Sequence, residues 1–206
     1  DAKKSHQAEV IAVEGPDVVG AGAYSDPSMI ALLRSIGIEV TQFPITRSLR
    51  DIPQEIRLMG EVLEQEARAE ALATELEQDL ANLPKPGQDA PLAAFFLPNG
   101  YSLGAGTLSH DILMAGGARN LSVELDFQGN GTLSLEQVIL NQPDLLIGSQ
   151  PFSGFSLSEE VVTHPALTDF PVLNTSVDWV CGTPFVMQAI ASVRHQIDRL
   201  TGTGRN

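Results

Sequence analysis

One helix-patterned run, Asp51–Leu83, constrains the fold of this chain more than any other stretch. Its apolar residues recur every three or four positions, which is the spacing of one helix face. These apolar positions are Ile52, Ile56, Met59, Leu63, Leu72, Leu76, Leu80 and Leu83. Asp51 is suited to cap the start, and Pro84 stops the run. A continuous helix would be about 50 Å long, whereas Gly60 and Glu64–Ala67 favour a break into two helices. The run is therefore either an amphipathic helix packed on one core or a strut between two lobes.

Strand-like and helix-like segments alternate on both sides of this run. The predicted strands are Ala8–Glu14, Ile38–Phe43, Leu92–Leu97, Arg119–Val123, Asp144–Gly148 and Val172–Thr175. The other predicted helices are Pro27–Ile36, Thr107–Ala115, Ser134–Asn141, Leu157–Thr163 and Thr183–Leu200. Such alternation predicts an α/β fold with mainly parallel sheets. Ligands of such sheets bind at loops beyond the carboxyl ends of the strands. The loops concerned are Gly15–Asp26, Pro98–Gly106, Gly148–Phe155 and Ser176–Gly182.

The composition narrows the classes of protein that this chain can represent. With 206 residues, 43% of them hydrophobic and 18% charged, it is long enough for one large domain or two small lobes. A net charge of −14 argues against binding to nucleic acid or to an anionic membrane. The single cysteine, Cys181, excludes an internal disulfide. No apolar run is long enough to span a membrane, and the opening residues contain no signal segment, so we expect a mature or a cytosolic chain.

One motif supports an enzymatic alternative. Gly100–Gly104 matches the G-x-S-x-G pattern of serine hydrolases, with Ser102 as nucleophile and Asp178 and His195 following in order. The pattern normally lies directly between a strand and a helix. Here Pro98 and Asn99 precede it, and His195 falls inside a predicted helix. The serine hydrolase therefore stays an alternative.

Other motifs predict neither a metal site nor a cofactor site. Asp126–Gln137 resembles a calcium loop, but its last position is Gln137 instead of the required glutamate, so a turn over Asp126–Gly131 is expected. Gly20 and Gly22 lack the further glycine of a dinucleotide fingerprint. The four histidines, His6, His110, His164 and His195, show no metal-ligand spacing.

Aromatic residues are rare, at 5% of the chain, yet several fall on the loops named above. They are Tyr24, Tyr101, Phe152, Phe155 and Trp179. Aromatic side chains at the rim of a cleft suit a large, flat or partly apolar ligand. We expect Tyr101 and Trp179 above all to contact one.

Several segments downstream of the long run carry a family resemblance. They are Asn99–Thr107, Ala115–Asn120, Ser134–Ile147, His164–Leu167 and Asp178–Pro184. In this order and spacing, and together with the run itself, they resemble the helical-backbone class (class III) of periplasmic substrate-binding proteins. These proteins serve ABC importers of iron–siderophores, haem and cobalamin. The resemblance covers nearly the whole chain.

The resemblance implies two α/β lobes with mainly parallel sheets joined by a long α-helix. The corresponding division is a partial N-terminal lobe over 1–50, an interlobe helix over 51–83 and a C-terminal lobe over 84–206. Members of the class have further strands and helices before the segment seen here as Ala8–Glu14. The N-terminal lobe is therefore expected to be incomplete and to lack its docking carboxylate.

The resemblance also implies a function without catalysis or cofactor. A metal chelate or a tetrapyrrole is expected to bind in the interlobe cleft, between Tyr24 on one lobe and Tyr101, Phe152 and Trp179 on the other. Glu136 corresponds to the carboxylate that docks the C-terminal lobe on the ABC transporter permease. The resemblance further implies a monomer in the periplasm that has no nucleic acid partner. A serine hydrolase and a non-transport α/β interaction domain are the alternatives.

Overall fold

The computed structural model of this protein describes residues 2–148, 158, 160–176, 179 and 181–202, with side chains from Ala8 onward. The helices are α1 (Ala2–Glu14), α2 (Pro27–Ser35), α3 (Ile52–Val62), α4 (Glu66–Ala81), α5 (Leu108–Gly116), α6 (Leu121–Glu124), α7 (Leu135–Asn141) and α8 (Val186–Thr201). The strands are β1 (Val18–Gly22), β2 (Glu39–Phe43), β3 (Leu92–Phe95), β4 (Tyr101–Leu103), β5 (Arg119–Asn120), β6 (Asn130–Thr132), β7 (Leu145–Gly148) and β8 (Val172–Asn174). The predicted α/β fold with mainly parallel sheets is confirmed. No helix in these ranges combines the length and the apolar character needed to cross a membrane.

The chain divides into two units that interleave in sequence. The first unit contains Asp1–Ile45 and Gln54–Ala73, and the second contains Thr46–Pro53 and Thr74–Asn206. Both boundaries within the Asp51–Leu83 run fall inside helices, so residues of this run belong to both units. The division into 1–50, 51–83 and 84–206 stays a prediction.

The first unit begins with a helix where the sequence pattern predicted a strand. Ala8–Glu14 belongs to α1, which packs on α2. Ala8 and Ile11, three positions apart, join the apolar cluster formed with Ile30 and Leu33. Val13 is 85% exposed. The predicted strand Ala8–Glu14 is therefore wrong. The segment is helical, and only one face of the helix packs against the rest of the unit.

The first strand lies in the segment that was predicted to be a glycine-rich loop. β1 pairs in parallel with β2, from Val18 opposite Glu39 to Gly22 opposite Phe43. The glycines of β1 disguised it, because glycine is uncommon in strand interiors. The start of α2 is confirmed, since the Asp26 side chain accepts a hydrogen bond of 2.8 Å from the N–H of Ser28.

The Asp51–Leu83 run forms two helices, and the continuous long helix is therefore wrong for this structure. α3 ends at Val62 and α4 begins at Glu66. Between them Glu64 adopts a φ of 53°, in the left-handed region that interrupts a helix. Gly60 lies against Ala69, and Arg57 donates two hydrogen bonds, of 2.8 and 3.0 Å, to the carboxylate of Glu70. The break predicted at Gly60 and Glu64–Ala67 as an alternative is the one observed.

The second unit is built on a four-stranded parallel sheet of order β5-β3-β7-β8. The central strands β3 and β7 are buried on both faces, as their apolar sequences predict. β5 is shorter than the predicted Arg119–Val123 strand, because Asn120 caps α6 by accepting a hydrogen bond from the N–H of Ser122. α5 packs on α8, and α8 also contacts β8.

A short antiparallel pair, β4 with β6, occupies the segments predicted as a loop and a turn. Two glycines allow it to pack closely. A Cβ atom on Gly131 would lie 2.6 Å from the ring of Phe127, and one on Gly104 would lie 2.3 Å from the carbonyl oxygen of Phe127. These glycines therefore serve close packing, and their loop-like sequence concealed two strands.

Candidate functional site

The carboxyl edge of the second unit's sheet is where the sequence predicted ligand contacts. β3 ends at Phe95, β7 at Gly148 and β8 at Asn174. The segment after β7 contains Phe152 and Phe155, and both lie outside the described residues. The segment after β3 is described in full, and the segment after β8 is described in part.

A tight turn follows β3. The N–H of Leu97 donates to the carbonyl of Tyr101 (2.9 Å), and the N–H of Gly100 donates to the carbonyl of Leu97 (2.8 Å). Asn99 and Gly100 both adopt left-handed conformations, with φ of 60° and 71°. The N–H of Leu133, which directly follows β6, donates to the carbonyl of Gly100 (2.9 Å) and so links the turn to the end of β6. The turn is therefore a rigid feature of the edge.

A recess of about 450 Å³ opens at this turn. It is lined by Leu97, Pro98, Asn99, Tyr101 and Thr132. Tyr101 is 40% exposed, so part of its side chain remains accessible. An accessible aromatic ring beside apolar carbons, with an amide and two hydroxyl groups nearby, suits a flat and partly apolar ligand. Tyr101 therefore lies at this recess, and its contact with a ligand stays a prediction.

Ser102 does not have the surroundings of a nucleophile. It is fully buried, and its Oγ lies 2.6 Å from the Oγ of Ser122. His195 is exposed on α8, far along the chain from this buried pair, and Asp178 lies outside the described residues. A buried serine paired with another serine lacks the adjacent base that activation requires.

Trp179 lies inside the second unit and not at its surface. Its side chain is 2% exposed, and its ring packs edge-on against Phe95, with ring centroids 6.0 Å apart. The hydroxyl of Ser109 donates a hydrogen bond of 2.9 Å to the carbonyl of Trp179. Trp179 thus anchors the segment after β8 to β3 and α5.

Tyr24 belongs to the first unit and follows β1. The N–H of Ser25 donates to the carbonyl of Gly22 (3.0 Å), which closes a turn around it. Its side chain is 88% exposed. Tyr24 is therefore available to a ligand.

Glu136 lies in the first turn of α7. Ser134 and Gln137 form a reciprocal capping box, with hydrogen bonds of 2.9 and 3.2 Å. Hydrogen bonds from the backbone N–H of Glu136 and from the Ser134 hydroxyl lower the pKa of the Glu136 carboxyl. Glu136 is exposed, as are Ile139 and Leu140 one turn later. The residue therefore presents an ionised carboxylate beside apolar side chains.

The described residues contain no group of three or more His, Cys, Asp or Glu side chains that could hold a metal ion. The segment that resembled a calcium loop contains a turn at Asp126, whose φ is 63°, and then enters β6.

Over residues 2–175 the chain matches the family described as "Periplasmic binding protein". The protein belongs to this family. The family is one of binding proteins, so this protein is a binding protein and not an enzyme. Family membership agrees with the buried position of Ser102.

Among curated proteins, this family member is similar to a cobalamin-binding protein of Halobacterium salinarum. The two are 27% identical over 148 residues, which is 68% of this chain and 40% of that protein. The chain therefore spans less than half the length of this relative.

Two solved structures illustrate the shared fold. The periplasmic haem-binding protein RhuT from Roseiflexus sp. RS-1 aligns with a TM-score of 0.74 and 22% identity, covering 94% of this chain and 80% of that one. The periplasmic vitamin B12 binding protein BtuF of Vibrio cholerae aligns with a TM-score of 0.60 and 20% identity, covering 93% and 78%.

Two features of this binding protein were missed from its sequence. Phe185, at the start of α8, is 61% exposed. The loop Thr46–Arg50 is attached to the first turn of α5 through Asp111. The Ser48-x-x-Asp51 spacing, typical of a helix start, was the one available signal that this loop is ordered.

Proposed function

We propose that this protein is the substrate-binding component of an ABC importer. It captures a metal chelate or a tetrapyrrole (an iron–siderophore, haem or cobalamin) in the periplasm and delivers it to the permease. Family membership supports a role in ligand binding, and the haem-binding and cobalamin-binding relatives suggest the class of ligand. The observation that carries the proposal is the recess at the carboxyl edge of the sheet, which Tyr101 lines.

The recess suits a ligand whose metal is already coordinated. A chelate or a tetrapyrrole presents ring faces and aliphatic edges, which aromatic side chains contact without directional bonds. Tyr101 supplies such a surface in the second unit and Tyr24 in the first. No protein ligand to the metal is then required.

The other proposed contacts carry additional conditions. Phe152 is proposed from the sequence, since it lies outside the described residues. Trp179 is 2% exposed, so contact with a ligand requires its side chain to become accessible. In this structure its ring packs against Phe95.

Delivery requires a docking site, and Glu136 is the proposed one. An exposed carboxylate that stays ionised orients the encounter with a basic pocket on the permease. The exposed apolar side chains of Ile139 and Leu140 adjoin it. We propose a monomer that docks through this face.

Equilibrium dialysis against haemin, cyanocobalamin and ferrichrome tests this function. Saturable binding of at least one of the three with one-to-one stoichiometry is expected. Absence of binding to all three would contradict the proposed ligand class. Quenching of the single tryptophan, Trp179, provides an independent signal, because a bound chromophore quenches a buried indole by energy transfer.

A fluorophosphonate probe tests the hydrolase alternative. The probe should leave Ser102 unlabelled, because its Oγ is buried and paired with Ser122. Labelling at Ser102 would restore that alternative.

A further inference from the structure

The loop Thr46–Arg50 lies at the same edge of the second unit as the recess. The hydroxyl of Ser48 (2.9 Å) and the N–H of Leu49 (3.1 Å) both donate to one carboxylate oxygen of Asp111. Asp111 is in the first turn of α5, which follows β3 and β4. At the other end of the loop, Thr46 packs against Gly182 in the segment after β8. Both attachments lie beyond the carboxyl ends of the parallel strands.

The loop is held rigidly by its own hydrogen bonds. One carboxylate oxygen of Asp51 accepts from the N–H groups of Arg47 and Ser48, each at 2.9 Å. The N–H of Arg50 donates to the hydroxyl of Ser48 at 3.2 Å, and Leu49 is buried. The backbone atoms of both arginines are therefore fixed before any ligand binds, which reduces the entropy lost on binding.

Both guanidinium groups remain available. Arg47 and Arg50 are exposed, and neither side chain has a protein acceptor among the described residues. Other arginines of this acidic chain do have one: Arg57 binds Glu70, and Arg194 donates to the carbonyl of Ala115. The neighbouring carboxylates of Asp51 and Asp111 accept backbone and hydroxyl hydrogen bonds instead.

We propose that Arg47 and Arg50 bind carboxylate groups at the periphery of the ligand. This inference rests on the proposed function and narrows it to ligands that carry carboxylates. A guanidinium group pairs with a carboxylate through two parallel hydrogen bonds, which gives both affinity and orientation. Tyr101 then contacts the apolar face of the ligand, while the two arginines hold its charged edge. Carboxylates of a tetrapyrrole and of a siderophore share this chemistry.

The test compares ligands with and without carboxylates. The probes are haemin, haemin dimethyl ester, ferric citrate and ferrichrome, titrated against the wild-type protein, R47A/R50A and R47K/R50K. Arg199→Ala is the matched control, because Arg199 is an exposed arginine in the last turn of α8 in the same unit. Binding to haemin but not to ferric citrate would identify a tetrapyrrole as the carboxylate source, and the reverse result would identify a siderophore.

The carboxylate probe is whichever of haemin and ferric citrate the wild-type protein binds. The wild-type protein should bind it at least tenfold more tightly than the matching probe without carboxylates, which is haemin dimethyl ester for haemin and ferrichrome for ferric citrate. The R47A/R50A variant should lose about a hundredfold in affinity for the carboxylate probe, roughly tenfold for each arginine. The lysine variant should recover part of that loss, and R199A should match the wild-type protein. Higher salt should weaken binding of the carboxylate probe.

Equal binding of haemin and its dimethyl ester, with no effect of R47A/R50A, would overturn this inference. Tight binding of ferrichrome alone would also overturn it, while leaving the proposed function intact. Binding of cyanocobalamin alone would overturn this inference and leave the proposed function intact, whereas binding of neither cyanocobalamin nor any of the four probes would contradict the proposed function itself.

Discussion

Gly100 is the residue on which the recess depends most directly. Its φ of 71° lies where side chains are disfavoured, and a Cβ atom there would lie 2.4 Å from the carbonyl oxygen of Leu133. The same residue closes the turn that presents Tyr101. Neither the backbone conformation nor the close approach tolerates a methyl group.

We expect Gly100→Ala to lower the free energy of unfolding by about 2–4 kcal/mol. Left-handed strain contributes about 1 kcal/mol and the steric conflict about 1–3 kcal/mol. Gly106→Ala is the control, because Gly106 has a φ of 76° but no atom near its Cβ position. The control should lose only about 1 kcal/mol. Urea denaturation measures both, and equal losses would show that the contact with Leu133 is unimportant.

His110 gives the second unit a dependence on pH. Burial lowers the pKa of His110, against an opposing effect of the Asp111 carboxylate. The Nδ2 group of Asn120 lies 3.2 Å from Nδ1 of His110. That amide is oriented by donating to the carbonyl of Leu103 and by accepting from the N–H of Ser122. Nδ1 therefore accepts a hydrogen bond, which requires neutral histidine.

The stability of the protein should fall as the pH drops below the ordinary histidine pKa of 6.5. In that range the unfolded chain binds a proton at His110 that the folded chain does not bind, so protonation favours unfolding. Urea midpoints at about pH 7.5 and about pH 5.5 measure this effect. His110→Gln should reduce the pH dependence, and His195→Gln, at an exposed position, should not. A dependence unchanged by His110→Gln would refute this assignment.

At the scale of elements, a sharp bend between α3 and α4 decides between the alternatives for the Asp51–Leu83 run. A straight helix would separate Arg57 from Glu70 by 13 residues, which is about 20 Å. The observed pair at 2.8 Å requires the chain to bend sharply between Val62 and Glu66. The bidentate pair and the close contact of Gly60 with Ala69 hold the two helices together.

Gly60→Ala should weaken the contact between α3 and α4. A Cβ atom on Gly60 would lie 2.2 Å from Cβ of Ala69, so the helices would have to move apart. We expect a loss of about 1–3 kcal/mol in the free energy of unfolding. Gly87→Ala, in the linker before β3 with no atom near its Cβ position, is the control. If the two variants have the same thermal midpoint, the close contact of α3 with α4 contributes nothing.

Elements with local capping signals and buried strands with continuous apolar sequences could be predicted from the sequence, whereas elements with an ambiguous pattern could not. Asp26 at the start of α2 and Ser134 at the start of α7 form the caps that their positions suggest. The glycines of β1 predict a loop and the consecutive apolar residues of α1 predict a strand, so both predictions are wrong. At the candidate site, Tyr101 was predicted from its loop, but the burial of Trp179 depends on Phe95, 84 positions away.

At the scale of the whole molecule, family membership and the surface chemistry together define the proposed role. The second unit carries a recess lined by Tyr101 and, on the same edge of its sheet, two exposed arginines. Glu136 lies on α7 of this unit. Ligand capture and permease docking are therefore assigned to different residues and can be separated by substitution.

Glu136→Gln should impair delivery without impairing capture. Loss of the carboxylate removes the charge that orients docking, and Gln retains the side-chain shape. Ligand-stimulated ATPase activity of the permease complex should fall about tenfold, with the ligand affinity unchanged. Asp89→Asn, an exposed carboxylate before β3 at the opposite edge of the sheet, is the control. A normal ATPase response in Glu136→Gln would remove Glu136 from the docking site.

The most direct test of the account is the affinity of Tyr101 variants for the ligand identified by dialysis. Tyr101→Ala should weaken binding about tenfold, corresponding to about 1.4 kcal/mol, because it removes the aromatic surface of the recess. Tyr101→Phe should retain most of the affinity. Val172→Ala, exposed at the start of β8 on the opposite edge of the sheet, should bind like the wild-type protein. Wild-type affinity in Tyr101→Ala would contradict the assignment of the ligand site to this recess.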